Sequence, residues 1–497
     1  MNVVSFNKSR WRKKTPNRSL FFSISLILLV FFFCLISYAG GPFSVPTSSN
    51  KTLKSQLPHC SRETIGENFL WFAPHSGFNN QLAELKNAIL VAAILNRTLI
   101  VPPILDHHSV VLGSCPKFRV LDPKELRMAV WNHIIELLQS RRYVSMGDIV
   151  DLASLGPSST VKTIDFRVFA SLWCGMKVDL SCFDVLKEGD PFLENLRKCG
   201  SLLSGMDGNV DNCIYALDED CRTTVWTYNE NDENKLDSFQ PDEHLRKKKK
   251  ISYIRRRRDV YKTLGPGSEA ASATVLAFGS LFTAPYKGSQ LYIDIDEVPR
   301  DHRIQSLLQK IEFLPFVPEI MNAGKKFVVE RIKAPFLCAQ LRLLDGQFKN
   351  HQKATFSGLK QKVESLRQNN PLPIHIFVMT DLPEVNWTGS YLGDLARDSD
   401  SYRLYNLQTG SELVQQTAEK LMAAGHGVRS GILASLGGRS SMKNKCPRGI
   451  SPDILLYIEE TICSCASLGF IGTAGSTIAE NIQLMRKNGI CSESGSS

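Results

Sequence analysis

The sequence predicts an α/β protein with two domains, and three features predict it. Short apolar runs of strand length end in loops of small and polar residues, helical periodicity follows, and the unit occurs in both halves of the chain. At 497 residues the chain exceeds one ordinary core, since domains run to about 100–200 residues. Hydrophobic residues at 43% and charged residues at 22% match folded proteins, and no repeat period interrupts them.

The first unit starts near Asn68. Phe69 to Ala73 is a strand-length apolar run, broken by Pro74-His75-Ser76-Gly77. Leu82, Leu85, Ile89, Ala92 and Leu95 then recur at helical spacing, and Leu99-Ile100-Val101 resumes strand character before Pro102-Pro103. In the second half Phe336 to Leu344 reads as a strand, Phe356 to Leu366 as a helix with Leu359 and Val363 on one face, and Ile374 to Met379 as a strand. Ser451-Pro452-Asp453 supplies a capping hydroxyl, a proline suited to a first turn and a carboxylate beside the positive end of the dipole. A helix is predicted from there, with Ile454, Leu455, Ile458 and Ile462 on its buried face. Leu468 to Ile471 reads as a strand and Thr477 to Arg486 as a helix.

Between the halves, residues 200–290 are irregular, with an acidic stretch from Asn229 to Asn234 and Gly265-Pro266-Gly267. This predicts an N-terminal lobe over 67–290, carrying a basic insertion at 229–268, and a C-terminal lobe over 291–491, with a site in the cleft between them. The basic run at 246–258 reads as a solvated loop. Contact with an anionic substrate or a membrane surface is the next reading.

The net charge of +10 is concentrated: residues 1–19 hold six basic side chains and 246–258 hold nine, leaving 44 basic against 49 acidic elsewhere. That balance argues against a general nucleic-acid-binding face. Residues 20–38 are nineteen uncharged residues, close to the ~20 that cross a bilayer as a helix. All six N-terminal charges precede them, and the next basic residue is Lys51. The positive-inside rule then predicts a cytoplasmic tail (1–19), an uncleaved signal anchor (20–38), a stem rich in Gly, Pro, Ser, Thr and Asn (39–66), and a lumenal body in the Golgi or endoplasmic reticulum. A cleaved signal peptide is the competing reading, but its apolar core is usually ~7–15 residues. Twelve of thirteen cysteines follow the anchor, an even number that suits disulfides in an oxidising lumen. Their pairing stays open, and some, Cys338 among them, could be buried thiols. Asn50, Asn96 and Asn386 begin N-glycosylation sequons, the last with Trp387 in its middle position. No cysteine or histidine spacing suggests zinc.

Three loops following strands could bind a ligand. The first, His75 to Gln81, combines Gly77, where the backbone can approach a ligand, with the amides of Asn79 and Asn80, which could instead cap a helix. In the second, Gln340 to Gly346, Arg342 stands in an apolar run and needs an anion, either a diphosphate or a carboxylate such as Asp345. The third, Gly472-Thr473-Ala474-Gly475-Ser476-Thr477, lies between a strand and a helix, where amides and hydroxyls can cradle phosphate.

In order and separation these loops resemble the plant O-fucosyltransferase family. Asn79-Asn80-Gln81 resembles the family's Asn-Gln helix start, and Asn96-Arg97-Thr98-Leu99-Ile100-Val101-Pro102-Pro103 its Asn-Arg-Thr-Leu-x-Val-Pro-Pro stretch. Gln340-Leu341-Arg342 is similar to its His-Leu-Arg strand, Thr380-Asp381 to its Thr-Asp pair, and Phe470-Ile471-Gly472 with Ser476-Thr477 to its last donor-binding loop. The resemblance spans about 68–490 and is weakest through 200–290.

It implies a GT-B-like enzyme of two Rossmann-like lobes, an inverting O-fucosyltransferase that moves fucose from GDP-fucose to a protein or glycan hydroxyl without a metal or cofactor. Arg342 would clamp the diphosphate, with Asp345 beside it, while Ser476 and Thr477 hold phosphate and Asp381 meets the nucleoside. Gly77 and Asn79 would line the donor site, and Asn80 would face the fucose and acceptor. The family's histidine is Gln340 here, and no general base is identified; His75 is the only titratable side chain near the first loop. Chemistry without a protein base stays open, as do two other functions: a UDP-rhamnose-dependent rhamnosyltransferase of cell-wall synthesis, and a catalytically silent lumenal binding protein.

Overall fold

Strands that are apolar along their whole length belong in sheets covered on both faces. In the computed structural model of the protein, Phe-Leu-Trp, Thr-Leu-Ile-Val, Val-Leu-Ala and Phe-Leu-Cys-Ala-Gln-Leu are buried at every residue. The structure describes residues 67–109, 123–155, 161–174, 191–206, 208–210, 212–217, 260–281, 302–344, 346–429 and 452–491. The expected tail, anchor and stem, Asn50, Asp345 and the basic run at 246–258 lie outside these residues, and no helix among them is long and apolar enough to cross a membrane.

The first sheet comprises β1 (Phe69–Trp71), β2 (Thr98–Val101), β3 (Thr163–Asp165), β4 (Ile214–Ala216) and β5 (Val275–Ala277), in the order β3-β2-β1-β5-β4. The second comprises β6 (Phe336–Leu341), β7 (Ile374–Thr380), β8 (Tyr402–Tyr405) and β9 (Gly469–Gly472), in the order β8-β7-β6-β9. All pairings of these strands are parallel: Phe69 is in register with Thr98 and Val275, and Leu337 with Ile376 and Gly469. The predicted strands end within a few residues of the observed ones. Arg342 falls just beyond β6 rather than inside it, so the residue is half-buried.

The helices used below are α1 (Phe78–Ile94), α2 (Pro123–Gln139), α3 (Phe166–Trp173), α4 (Pro191–Leu203), α5 (His302–Glu312), α6 (Pro318–Phe327), α7 (Gln352–Asn369), α8 (Glu412–Ala424), α9 (Leu455–Ser464) and α10 (Thr477–Lys487). One apolar layer, containing Phe72, Phe78, Leu85, Ile320, Phe336, Tyr457 and Ile458, is shared by both sheets. Trp71, Trp131 and Phe166 fill the far face of the first sheet, and Leu337, Leu359, Val363 and Trp387 that of the second. The boundary expected near residue 290 separates the two sheets in sequence, yet α5 packs on α1 of the first.

The helix predicted from Ser451 begins later, at Leu455 with Ile454 as its cap residue, and Ser451 lies outside the described residues. Asp453 therefore precedes the helix, where one carboxylate oxygen accepts from the Leu455 amide at 3.3 Å. Cysteine pairing, open in the sequence, is resolved for Cys174–Cys199, Cys338–Cys463 and Cys465–Cys491. Cys338 is thus no free thiol; it joins β6 to α9 across 125 residues of sequence.

Arg97, from the Asn-Arg-Thr stretch, is buried and donates to the carbonyls of Ala270 at 2.8 Å and Ala273 at 2.9 Å, fastening the turn before β2 to the entry of β5. Helix α1 is buried on almost every side, so its polar residues need partners. Gln81 donates to the carbonyls of Ser76 at 2.6 Å and Asp106 at 2.9 Å, and accepts from the Leu105 amide at 3.0 Å. Asn79 reaches the second half of the chain, donating to Glu460 of α9 at 2.7 Å, while Asn481 of α10 donates to the other Glu460 oxygen at 2.6 Å.

Glu460 is fully buried, and loss of hydration pushes its carboxyl up to about 7, against the two amides that favour the anion. Its folded pKa exceeds the ordinary 4.5, so the unfolded chain gives up this proton first as pH rises. The contribution is complete below pH 4.5 and is lost as pH rises to about 7. The loss is on the order of 3 kcal/mol. In urea unfolding at pH 5 and pH 8, Glu460→Gln should lose less stability between the two pH values than the wild type. Equal losses in the two proteins would assign the pH dependence to other groups.

Candidate functional site

Open parallel sheets bind ligands at the switch point, beyond the carboxyl ends of two strands whose connections leave in opposite directions. Here the switch points lie between β1 and β5 in the first sheet and between β6 and β9 in the second. The first is filled by the protein's own side chains. His75, fully buried, joins Ser280 through Nε2 and Ser76 through Nδ1, each at 2.8 Å. Glu84 of α1, also buried, accepts from the amides of His75 and Leu281, both at 3.1 Å.

This overturns the expectation that His75 could be a base facing substrate. Burial lowers its pKa to about 3, which leaves it neutral, and both ring nitrogens are engaged inside the core. Gly77 also has a different purpose. A Cβ there would lie 2.4 Å from Ser109 Oγ, so the close approach it permits is that of Ser109, whose hydroxyl accepts from the Gly77 amide at 2.6 Å.

The second switch point is lined by loops. Gln340, buried at the end of β6, accepts from the Thr473 amide at 3.3 Å through its side chain. Thr473 Oγ1 in turn accepts from the Arg342 amide at 2.9 Å, which ties the β6 loop to the β9 loop. Gln340, standing where the family has histidine, thus makes its hydrogen bond without a titrating proton. Both Asp381 oxygens accept loop amides, from Leu343 at 2.8 Å and Leu344 at 3.0 Å, so this carboxylate shapes the segment after Arg342. The Arg342 guanidinium lies over the Phe348 ring at 5.0 Å.

At the β9 loop, Gly475 holds φ +73°, a left-handed turn that suits glycine and brings the chain to the start of α10. Ser476 is the cap residue of that helix, but its hydroxyl makes no capping bond and is buried with no partner. Asn79 Oδ1 and Asn80 Oδ1, in the first turn of α1, are likewise buried without partners. Neither amide caps α1, whose cap residue is Gly77. Helix α10 directs its N-terminal amides toward the same crevice, and Thr477 begins it. A guanidinium, a helix N-terminus and unpartnered polar atoms from α1 and the β9 loop form a set suited to a phosphate-bearing ligand.

A third wall went unnoticed in the sequence. The loop after β2, Asp106-His107-His108-Ser109, is held to α1 by Gln81 and meets α9 and the segment before it through its two histidines. His107 Nδ1 shares a hydrogen bond with Tyr457 at 2.6 Å, and burial lowers its pKa to about 4. His108 Nε2 meets Asp453 Oδ2 at 3.0 Å, with both side chains more than a third exposed. Like the other three loops, this one follows a strand, with Pro102-Pro103 between. Of the expected sequon asparagines, Asn96 and Asn386 are both exposed, although Trp387 beside the latter is buried. Among the described residues no three His, Cys, Asp or Glu side chains converge as a metal site would.

Residues 69–375 match the family described as GDP-fucose protein O-fucosyltransferase. The chain is 58% identical over 507 residues to O-fucosyltransferase 30 of Arabidopsis thaliana, covering 98% of this chain and 99% of that protein. Among solved structures, POFUT1 in complex with GDP-fucose is 12% identical with a TM-score of 0.34, covering 85% of this chain and 94% of that one. A mutant of Arabidopsis thaliana FUT1 in complex with GDP is 11% identical with a TM-score of 0.35, covering 94% of this chain and 77% of that one. The family match over more than half the chain, and the relative that aligns nearly end to end, establish that this protein belongs to the GDP-fucose protein O-fucosyltransferase family.

Proposed function

We propose that the protein is an inverting fucosyltransferase of GT-B-like architecture that transfers fucose from GDP-fucose to a hydroxyl of a protein or glycan. The observation that carries this reading is the second switch point, where the Arg342 amide ties its loop to Thr473 and the buried, unpartnered hydroxyl of Ser476 stands at the N-terminus of α10. Family membership supplies the donor. The diphosphate would lie between the Arg342 guanidinium and the amides of Ser476 and Thr477, with the sugar extending toward Asn80. Charge on the departing diphosphate would be met by the fixed cation and the helix dipole, so the reaction needs no metal. Six basic residues before an uncharged run favour a type II membrane protein, with this site in the lumen of the Golgi or endoplasmic reticulum.

Calorimetry of the full-length protein in detergent should show GDP-fucose and GDP binding, with UDP and UDP-rhamnose much weaker. Hydrogen bonds to charged groups contribute roughly 1.5–3 kcal/mol each, so Arg342→Ala should weaken GDP at least about tenfold. Arg342→Lys keeps the charge, loses the planar fork and should recover only part of that loss. Wild-type affinity in a folded Arg342→Ala protein would move the diphosphate elsewhere.

At Gly475 an added Cβ meets nothing within 4 Å, so a substitution acts through the backbone and not through crowding. Gly475→Val should reshape the approach to α10 and lower GDP affinity more than it lowers thermal stability. A folded mutant with unaltered affinity would separate this turn from phosphate binding.

For the topology, endoglycosidase treatment of the protein from intact microsomes should increase its gel mobility. A body that is unglycosylated and open to added protease would place it in the cytosol.

A further inference from the structure

Transfer to a hydroxyl requires that its proton leave as the new bond forms, and neither His75 nor Gln340 can accept it. His75 is sealed in the first switch point, and Gln340 is an amide. The loop after β2 contains a group that can. His108 lies beyond the first turn of α1, on a loop that Gln81 fixes at two backbone positions and that its own Asp106 closes by accepting from the His108 amide at 2.9 Å. Its ring is about half exposed. Nε2 is engaged with Asp453 at 3.0 Å, and Nδ1 has no hydrogen-bond partner among the described residues.

A carboxylate on one imidazole nitrogen fixes the tautomer and leaves the other nitrogen as a directed base. With Nε2–H donated to Asp453, the lone pair is on Nδ1. Asp453 is positioned for this by the delayed start of α9. Its Oδ1 accepts from the Leu455 amide, which leaves Oδ2 for the imidazole. The pair also joins the two halves of the chain, 345 residues apart, close enough to Arg342 for its charge to act on the imidazole.

We propose that His108, oriented by Asp453, is the general base that takes the proton of the acceptor hydroxyl. The proposal rests on the fucosyltransferase reading above. The acceptor oxygen attacks C1 of fucose from the face opposite the diphosphate while its proton passes to Nδ1. The C1–O bond to the diphosphate breaks, and its electron pair leaves on the β-phosphate oxygen of GDP. His108 becomes an imidazolium held by Asp453 and later gives its proton to solvent. Atoms and charge balance with no further reactant.

The charged groups that face His108 come from three elements. The hydrogen bond to Asp453, ahead of α9, raises its pKa, as does the charge of Asp106 in its own loop, while Arg342 beyond β6 lowers it. His107, next in the chain, is neutral because it is buried. A base must be deprotonated to act, so the rate should fall as pH drops through the His108 pKa. Removal of the Asp453 carboxylate should move that fall to lower pH.

The test uses the full-length protein and GDP-fucose alone. Water then takes the place of the acceptor hydroxyl, and release of GDP reports the same proton transfer. His108→Gln should lower kcat by roughly 10²–10⁴-fold and abolish the acid limb of the pH profile, with GDP affinity retained in calorimetry. Asp453→Asn, which keeps the shape, should retain an acid limb displaced to lower pH and lower kcat by a smaller factor. A pair that merely joined the two loops would change GDP affinity or thermal stability and leave the acid limb in place. Wild-type kcat in His108→Gln, or an unaltered acid limb, overturns the base assignment and leaves the donor site standing. A wild-type protein that binds no GDP overturns the donor reading and the base with it.

Discussion

Glu460 has no access to water, and an ionised carboxylate at that depth without partners would cost several kcal/mol. Its two oxygens accept one amide from α1 and one from α10, so the interaction sets the distance and angle between the helix that follows β1 and the helix that follows β9. Phe78 beside Asn79 packs its ring 4.5 Å from Tyr457, and Phe316 closes the cluster. The polar contact selects one registration of the two halves, and the aromatic contact supplies apolar burial around it. The first turn of α1 is thereby fixed against the loop that carries Ser476.

The crevices at the ends of the two sheets are filled differently. The crevice of the first sheet is occupied by His75, Ser280 and Glu84, each using its partners inside the core. The crevice of the second sheet is bordered by backbone-pinned loops that carry a guanidinium, a helix N-terminus and an unpartnered hydroxyl. Hydrogen bonds among Gln340, Thr473 and the Arg342 amide, and between Asp381 and the following amides, hold the backbone on either side of the guanidinium in place. Such preorganisation would reduce the ordering cost of binding a charged ligand there.

The walls of the site come from distant parts of the sequence, brought together through short local devices. Gln81 acts from α1 on the loop after β2. The disulfide between Cys338 and Cys463 ties the central strand of the second sheet to α9, the helix that presents Tyr457 and Glu460. Asp453 lies just ahead of α9, where Oδ1 accepts from the Leu455 amide and Oδ2 meets His108.

Strands, central helices and two of the candidate site's groups could be picked out from the order of residues. Alternation between apolar runs and helical periodicity is a local property, which is why β1, α1, β6, β7, β9 and α10 were legible to within a few residues. Arg342 and Ser476 stood out as candidates for a related reason: a cation in an apolar run, or a hydroxyl before a helix, suggests a ligand. Which loop residues face inward was settled by folding. His75 and His108 are both histidines in loops after strands, yet one is sealed against Ser280, 205 residues away, and the other is exposed beside Asp453, 345 residues away. Burial and pairing of that kind depend on partners that no local pattern encodes, so the burial of Glu460 and the pairing of Asp453 with His108 were decided only by the fold.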